Sequence, residues 1–166
     1  MSQHASWILQ LFVREIGTLE RELALFPDDA ATWQVVPGVT NSAGTLVLHL
    51  CGNLQWFIGG VLGGSGYVRD REREFSARGI PREELLRDLE TTRAVVIAVM
   101  PTLTDAQMAK AYPEAVGGVT MVTGLFLMHL SAHLAFHLGQ VGYLRRALTG
   151  ENRSASPLPL GPLALQ

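Results

Sequence analysis

The chain has 166 residues, one domain's worth, with 17% charged and 48% hydrophobic residues and a formal charge of -2. It can therefore bury a core without staples. One lysine, Lys110, and no basic cluster exclude a nucleic-acid footprint, and a single cysteine, Cys51, excludes an internal disulfide and fits a reducing cytoplasm. The beginning, "MSQHASWILQLFVREIG", has neither the basic leader nor the small-residue cleavage site of a secretory signal and reads as the start of a helix.

Four long helical segments follow. From about Ser6 to Phe26, Ile8, Leu11, Phe12, Leu19, Leu23 and Phe26 recur at steps of three, four or seven, while Arg14, Glu15, Glu20, Arg21 and Glu22 supply a wet face. "FPDD" stops it. The second helix opens at "GVTNSAG", where Thr40, Asn41 or Ser42 can cap it, and fades in the glycine run from Gly60 to Gly66, which lacks the Gly-Lys-Ser/Thr ending of a phosphate loop. "YVRDREREFSARG" reads as a solvated linker, because Asp70, Glu72 and Glu74 cancel most of its positive charge; the alternative is a basic rim for an anionic substrate.

The third helix begins at Pro81, with Glu83 and Glu84 at its positive end, buries Leu85, Leu86, Leu89, Val96, Val99 and Leu103, and ends or kinks at Pro101. The fourth starts near Val119 or Thr120 and runs to Leu148, with Arg145 and Arg146 in its last turn and Gly150 as C-cap. Gly124, Gly139 and Gly142 are expected to admit close neighbours. Residues 151–166 form an extension that Pro157, Pro159 and Gly161 keep from being helical in its middle, and whose Leu158, Leu160, Leu163 and Leu165 suit packing across the bundle or a dimer partner.

No Asp, Glu, Lys or Arg occurs between Asp29 and Arg69 or between Glu114 and Arg145, lengths that could span a bilayer. Both stretches are studded with polar groups, and the other two helices are amphipathic. The expected architecture is therefore a bundle with two nearly all-buried inner helices, not a membrane protein.

The chemistry sits in "LMHLSAHLAFHLGQ". A step of four residues advances about 40° around a helix, so His129, His133 and His137 lie on one slowly turning stripe, and adjacent members can grip a single ion as a pair. A third ligand must come from elsewhere, and His49 in "TLVLHLCGN" is the other histidine within a helix. It shares a face with Ser42, Thr45, Asn53 and Trp56, a polar stripe that costs free energy unless paired. His49, His133 and His137 together call for one explanation, a bound cation. His129 reads as a hydrogen-bonded core residue or a second-layer group, and Cys51, two residues from His49, points to the other side of the helix.

"HLAFHLGQVGYLRR", preceded at long range by "LHLCGN", resembles the DinB-like superfamily over roughly Leu9 to Gly150. That resemblance implies an all-α four-helix bundle (1–150) of up-down-down-up topology, often dimeric, with His49, His133 and His137 around a divalent metal. Gln140 matches the family glutamine and, with Asn53, Trp56 and His129, is expected to support the ligands or line the pocket. The family includes thiol transferases and isomerases using low-molecular-weight thiols, and others described as metal-dependent hydrolases.

Three neutral imidazoles leave positions open on a divalent ion, the arrangement of a catalytic site; zinc is the default, with nickel, cobalt and iron(II) as alternatives. Neither histidine helix carries Asp or Glu, so a general base would come from Glu114 or helix 1, which favours thiol transfer to a small electrophile over hydrolysis. The expectation is a cytoplasmic, homodimeric, metal-dependent S-transferase for a small-molecule substrate, with hydrolysis and non-catalytic ligand binding as alternatives.

Overall fold

The computed structural model describes residues 2–153, 155–156 and 158–164. Six α-helices follow one another: α1 (Gln3–Ala24), α2 (Ala43–Leu54), α3 (Arg71–Ser76), α4 (Arg82–Val99), α5 (Asp105–Ala109) and α6 (Thr123–Thr149). Among the described residues there is no strand, only isolated bridges between Ala111 and Val122 and between Val116 and Val119. The four long helices share one core. α1 and α2 each pack against both α4 and α6, and the short α3 lies on α2.

Burial explains the composition of each helix. All twelve residues of α2 are buried, which is why it carries no charge. With its extension to Leu62, α2 is long and apolar enough to cross a membrane, yet 72% of its most apolar window is buried inside the protein, as a core helix requires. Ser42 caps it, its hydroxyl accepting from the Thr45 N–H at 3.1 Å. From Gln55 to Leu62 the helix widens into π-helical turns, so the α-helical phase that put Trp56 on the His49 face does not continue to it.

Leu85, Leu89, Val96, Val99 and Leu103 are buried as their spacing predicts, with Leu86 partly so, and Pro101 sits in a 3₁₀ turn that ends α4. α6 starts at Thr123, three residues later than its sequence suggests, because Val116 and Val119 close a turn through Gly117 and Gly118. Gly150 ends α6 in the left-handed conformation, φ 68°, as expected of a C-cap glycine.

Three sequence expectations are corrected. The α1 face carrying Glu15 and Glu22 is not wet: both are buried, at 2% and 3% exposure. Arg145 does not merely complement the helix dipole; it is fully buried, donates from Nε to Glu22 Oε2 at 2.6 Å, and donates from Nη2 to the Arg153 carbonyl, also at 2.6 Å. The pair clasps α1 to α6, and a cation buried there needs that partner. The "YVRDREREFSARG" segment is more than a solvated linker: most of its residues are exposed, but Arg71–Ser76 folds into α3 and Glu74 is buried.

Of the three α6 glycines, Gly142 faces the Glu22 carboxylate and Gly124 faces Met108, while Gly139 meets nothing within 4 Å. The C-terminal segment docks through Ala155, which is buried and whose carbonyl accepts from Arg21, and through a half-buried Leu163; Leu158 and Leu160 are exposed. Leu165 lies outside the described residues.

Candidate metal centre

α2 supplies His49 and α6 supplies His133 and His137, and the packing of the two helices brings the three rings together. Nε2 of His133 stands 3.2 Å from Nε2 of His49 and 3.0 Å from Nε2 of His137. Each of the three residues offers a ligand atom, and these atoms all lie within 4.8 Å of one another. Two ligand nitrogens on a tetrahedral zinc, with bonds of about 2.0–2.1 Å, stand about 3.3 Å apart. The spacing fits one ion.

The far nitrogens decide the chemistry of the near ones. His49 Nδ1 lies 3.0 Å from Glu74 Oε2, which only accepts, and farther, 3.3 Å, from Arg69 Nη2, which only donates; the nearer carboxylate favours the proton on Nδ1, and in the neutral ring Nε2 then presents a lone pair. His137 Nδ1 lies 2.7 Å from the Gln140 amide oxygen, with the same result. His133 Nε2 therefore faces two lone pairs and can donate to one at most, while its own Nδ1 is buried without a hydrogen-bond partner. A cation satisfies all three nitrogens; a proton does not.

Electrostatics agree. Burial, and then the neighbouring His137 and His49, push the His133 pKa down to about 4, and burial lowers that of His137, so both rings are neutral at pH 7, as ligands must be. Burial alone would raise the Glu74 pKa, but hydrogen bonds from Arg69 and His49 overcome it and hold the carboxyl ionised. Arg69 donates from Nε to Oε1 at 2.6 Å and from Nη2 to Oε2 at 2.8 Å, a bidentate clamp.

The sequence reading missed Glu74, Arg69 and Phe75, which packs its ring on His49 at 5.0 Å. The available signal was the Asp70 cap: its carboxylate accepts from the Arg73 N–H, marking a helix start inside the charge run. The carboxylate of this site comes from α3, not from the exposed Glu114 or from helix 1.

Of the residues expected around the ligands, the structure puts Gln140 on His137. His129 is exposed, stacked on Phe126 and His133, and offers no atom to the cluster. Asn53 is buried one turn beyond His49 with Oδ1 unpartnered. Trp56 is half-buried and lies against Gly60 rather than the histidines. Cys51 is buried away from the cluster, and burial pushes its thiol up to about 12.

A family model described as "Protein of unknown function (DUF1572)" matches residues 3–161. The chain belongs to the DUF1572 family. No curated protein matches this DUF1572 chain. Its fold is similar to a crystal structure of a DinB-like protein from Bacillus cereus ATCC 10987, with TM-score 0.66 and 19% identity over 84% of this chain and 89% of that one. The DinB-like resemblance read from the histidine motifs thus holds at the level of the fold.

Proposed function

We propose that this DUF1572 protein holds one divalent ion, zinc by default, between His49, His133 and His137, and uses it to transfer a low-molecular-weight thiol to a small electrophile. The observation that carries the reading is the convergence of three Nε2 atoms, with the His133 and His137 rings neutral and the rings of His49 and His137 held from behind by Glu74 and Gln140. An ion held by three imidazoles keeps a position for a thiol or water and lowers its pKa toward neutrality.

The chain's own residues orient. Glu74 and Gln140 fix the ring rotations of His49 and His137, and Arg69 holds Glu74 in place. His133 and His137 are half-buried, so small molecules reach the site from solvent. Glu74 is committed to Arg69 and His49, on the Nδ1 side of the imidazole, and is not available as a base for an attacking water. That favours S-transfer, in which sulfur loses its proton, bonds the electrophilic carbon and expels the leaving group with its electron pair, over hydrolysis.

Turnover of 1-chloro-2,4-dinitrobenzene with several thiols, set against hydrolysis of p-nitrophenyl acetate, tests the assignment. Thiol-dependent turnover that vanishes in His133→Ala supports it. Ester hydrolysis alone moves the protein to the hydrolases, and a bound metal without either activity makes it a ligand-binding bundle. The up-down-down-up connectivity and a cytoplasmic location complete the proposal. So does a homodimer formed on the outward face of α6, where Leu125, Met128 and Phe136 stand exposed.

A further inference from the structure

A cavity of about 440 Å³ opens between the segment 36–41, the N-terminal turns of α2 and the C-terminal half of α6; none of the three histidines lines it, and Gln140, bonded to His137, joins it to them. Its walls include Val36, Val39, Leu46 and Leu144, with Thr40, Asn41, Gln140 and Tyr143 as polar members, and no Asp, Glu, Lys or Arg lines it. The volume is that of small-molecule sites, roughly 300–1,000 Å³. A charged group placed there would find no counter-charge in the walls. Of the residues expected to support the ligands or line a pocket, Gln140 lines it, while Asn53, Trp56 and His129 do not.

Helical register joins this cavity to the histidines. On α6, His133, His137, Gln140, Leu144 and Ala147 follow one another at steps of four, three, four and three, a single stripe with ligands at one end and cavity wall at the other. On α2, Leu46 precedes His49 by three residues. Gln140 belongs to both: its amide oxygen accepts from His137, and its side chain lines the cavity with the NH2 donors left for a ligand. From His137 to Ala147 the helix advances about 15 Å.

We infer that this cavity binds the uncharged, mainly apolar portion of an elongated substrate whose reactive polar end reaches the triad past Gln140. The inference rests on the reading of the triad as the reactive centre and adds the substrate class: a neutral amphiphile rather than a sugar, a nucleotide or a charged metabolite.

The test is titration of the metal-loaded protein with the neutral fluorophore N-phenyl-1-naphthylamine, followed by displacement with n-alkanols from butanol to octanol. The dye should bind, and each added methylene should strengthen displacement about fourfold. Ala147→Trp, which fills the cavity from an exposed position, and Val39→Asp, which puts a charge in its wall, should each weaken the dye at least tenfold while leaving metal content unchanged. Absence of dye binding, or equal affinity in the wild type and both variants, overturns the assignment. Metal content reports separately on the triad, so a chain that takes no metal removes the reactive centre, and this substrate class with it, whatever the dye does.

Discussion

A Cβ on Gly52 would stand 2.2 Å from Oε1 of Glu74 and 2.8 Å from its Cδ. The carboxylate that steadies His49 lies on a glycine of α2, three residues past the ligand it serves. Glu74 cannot simply swing away, because Arg69 holds it through both oxygens.

Gly52→Ala should therefore disturb the metal centre without unfolding the bundle. Metal affinity, read by competition with a chromogenic chelator, should fall about 10- to 100-fold, the usual cost of losing a group that orients a ligand. Gly139→Ala on α6, where nothing lies within 4 Å, is the matched control and should change nothing. Equal effects of the two substitutions would remove the argument from close approach.

Glu74→Gln keeps the shape of the side chain and removes its charge. His49 then loses the acceptor-only partner that sets its tautomer, and Arg69 loses its counter-ion. We expect a comparable fall in metal affinity, about 10- to 100-fold, with the helical circular dichroism signal retained.

Elemental analysis of protein purified without an affinity tag should find one divalent ion per chain. His49→Ala, His133→Ala and His137→Ala should lose it, and His129→Ala, whose ring is exposed and outside the cluster, should keep it. Loss in His129→Ala with retention in His137→Ala would reassign the pair on α6.

The buried pair of Glu22 and Arg145 makes a prediction about stability alone. Arg145→Met leaves Glu22 buried with only the more distant Arg146, at 3.8 Å, as counter-ion, and urea unfolding should show a loss of about 3 kcal/mol. Adding Glu22→Leu should restore most of it, since the cost lies in a buried charge stripped of its close partner. Metal content should be unaffected by either change.

Cys51 gives a pH signature. Burial favours the neutral thiol and raises its pKa to about 12 from the ordinary 9.0, so the native protein should resist iodoacetamide at pH 8.5 and react when unfolded. A folded-state pKa above the unfolded one contributes stability that is complete below pH 9 and fades as pH rises from about 9 to about 12. Cys51→Ser should weaken that part of the alkaline decline.

The sequence by itself determined the four long helices, though neither α3 nor α5, and half of the site. Spacings of three and four placed the buried stripes of α1 and α4, and the four-residue steps from His129 to His137 could belong only to one helical face, because the α-helical period leaves no other arrangement. Which two of those three histidines converge with His49 depended on how α6 rotates against α2, a matter of core packing that local spacing does not encode. Tertiary structure also decided the fate of the charges. Glu22, Glu74 and Arg145 read as surface groups because composition assigns charge to water, and only packing reveals a partner from another helix that makes burial tolerable. The same holds for Gly52, whose missing side chain acquires meaning when α3 folds back and lays a carboxylate on it.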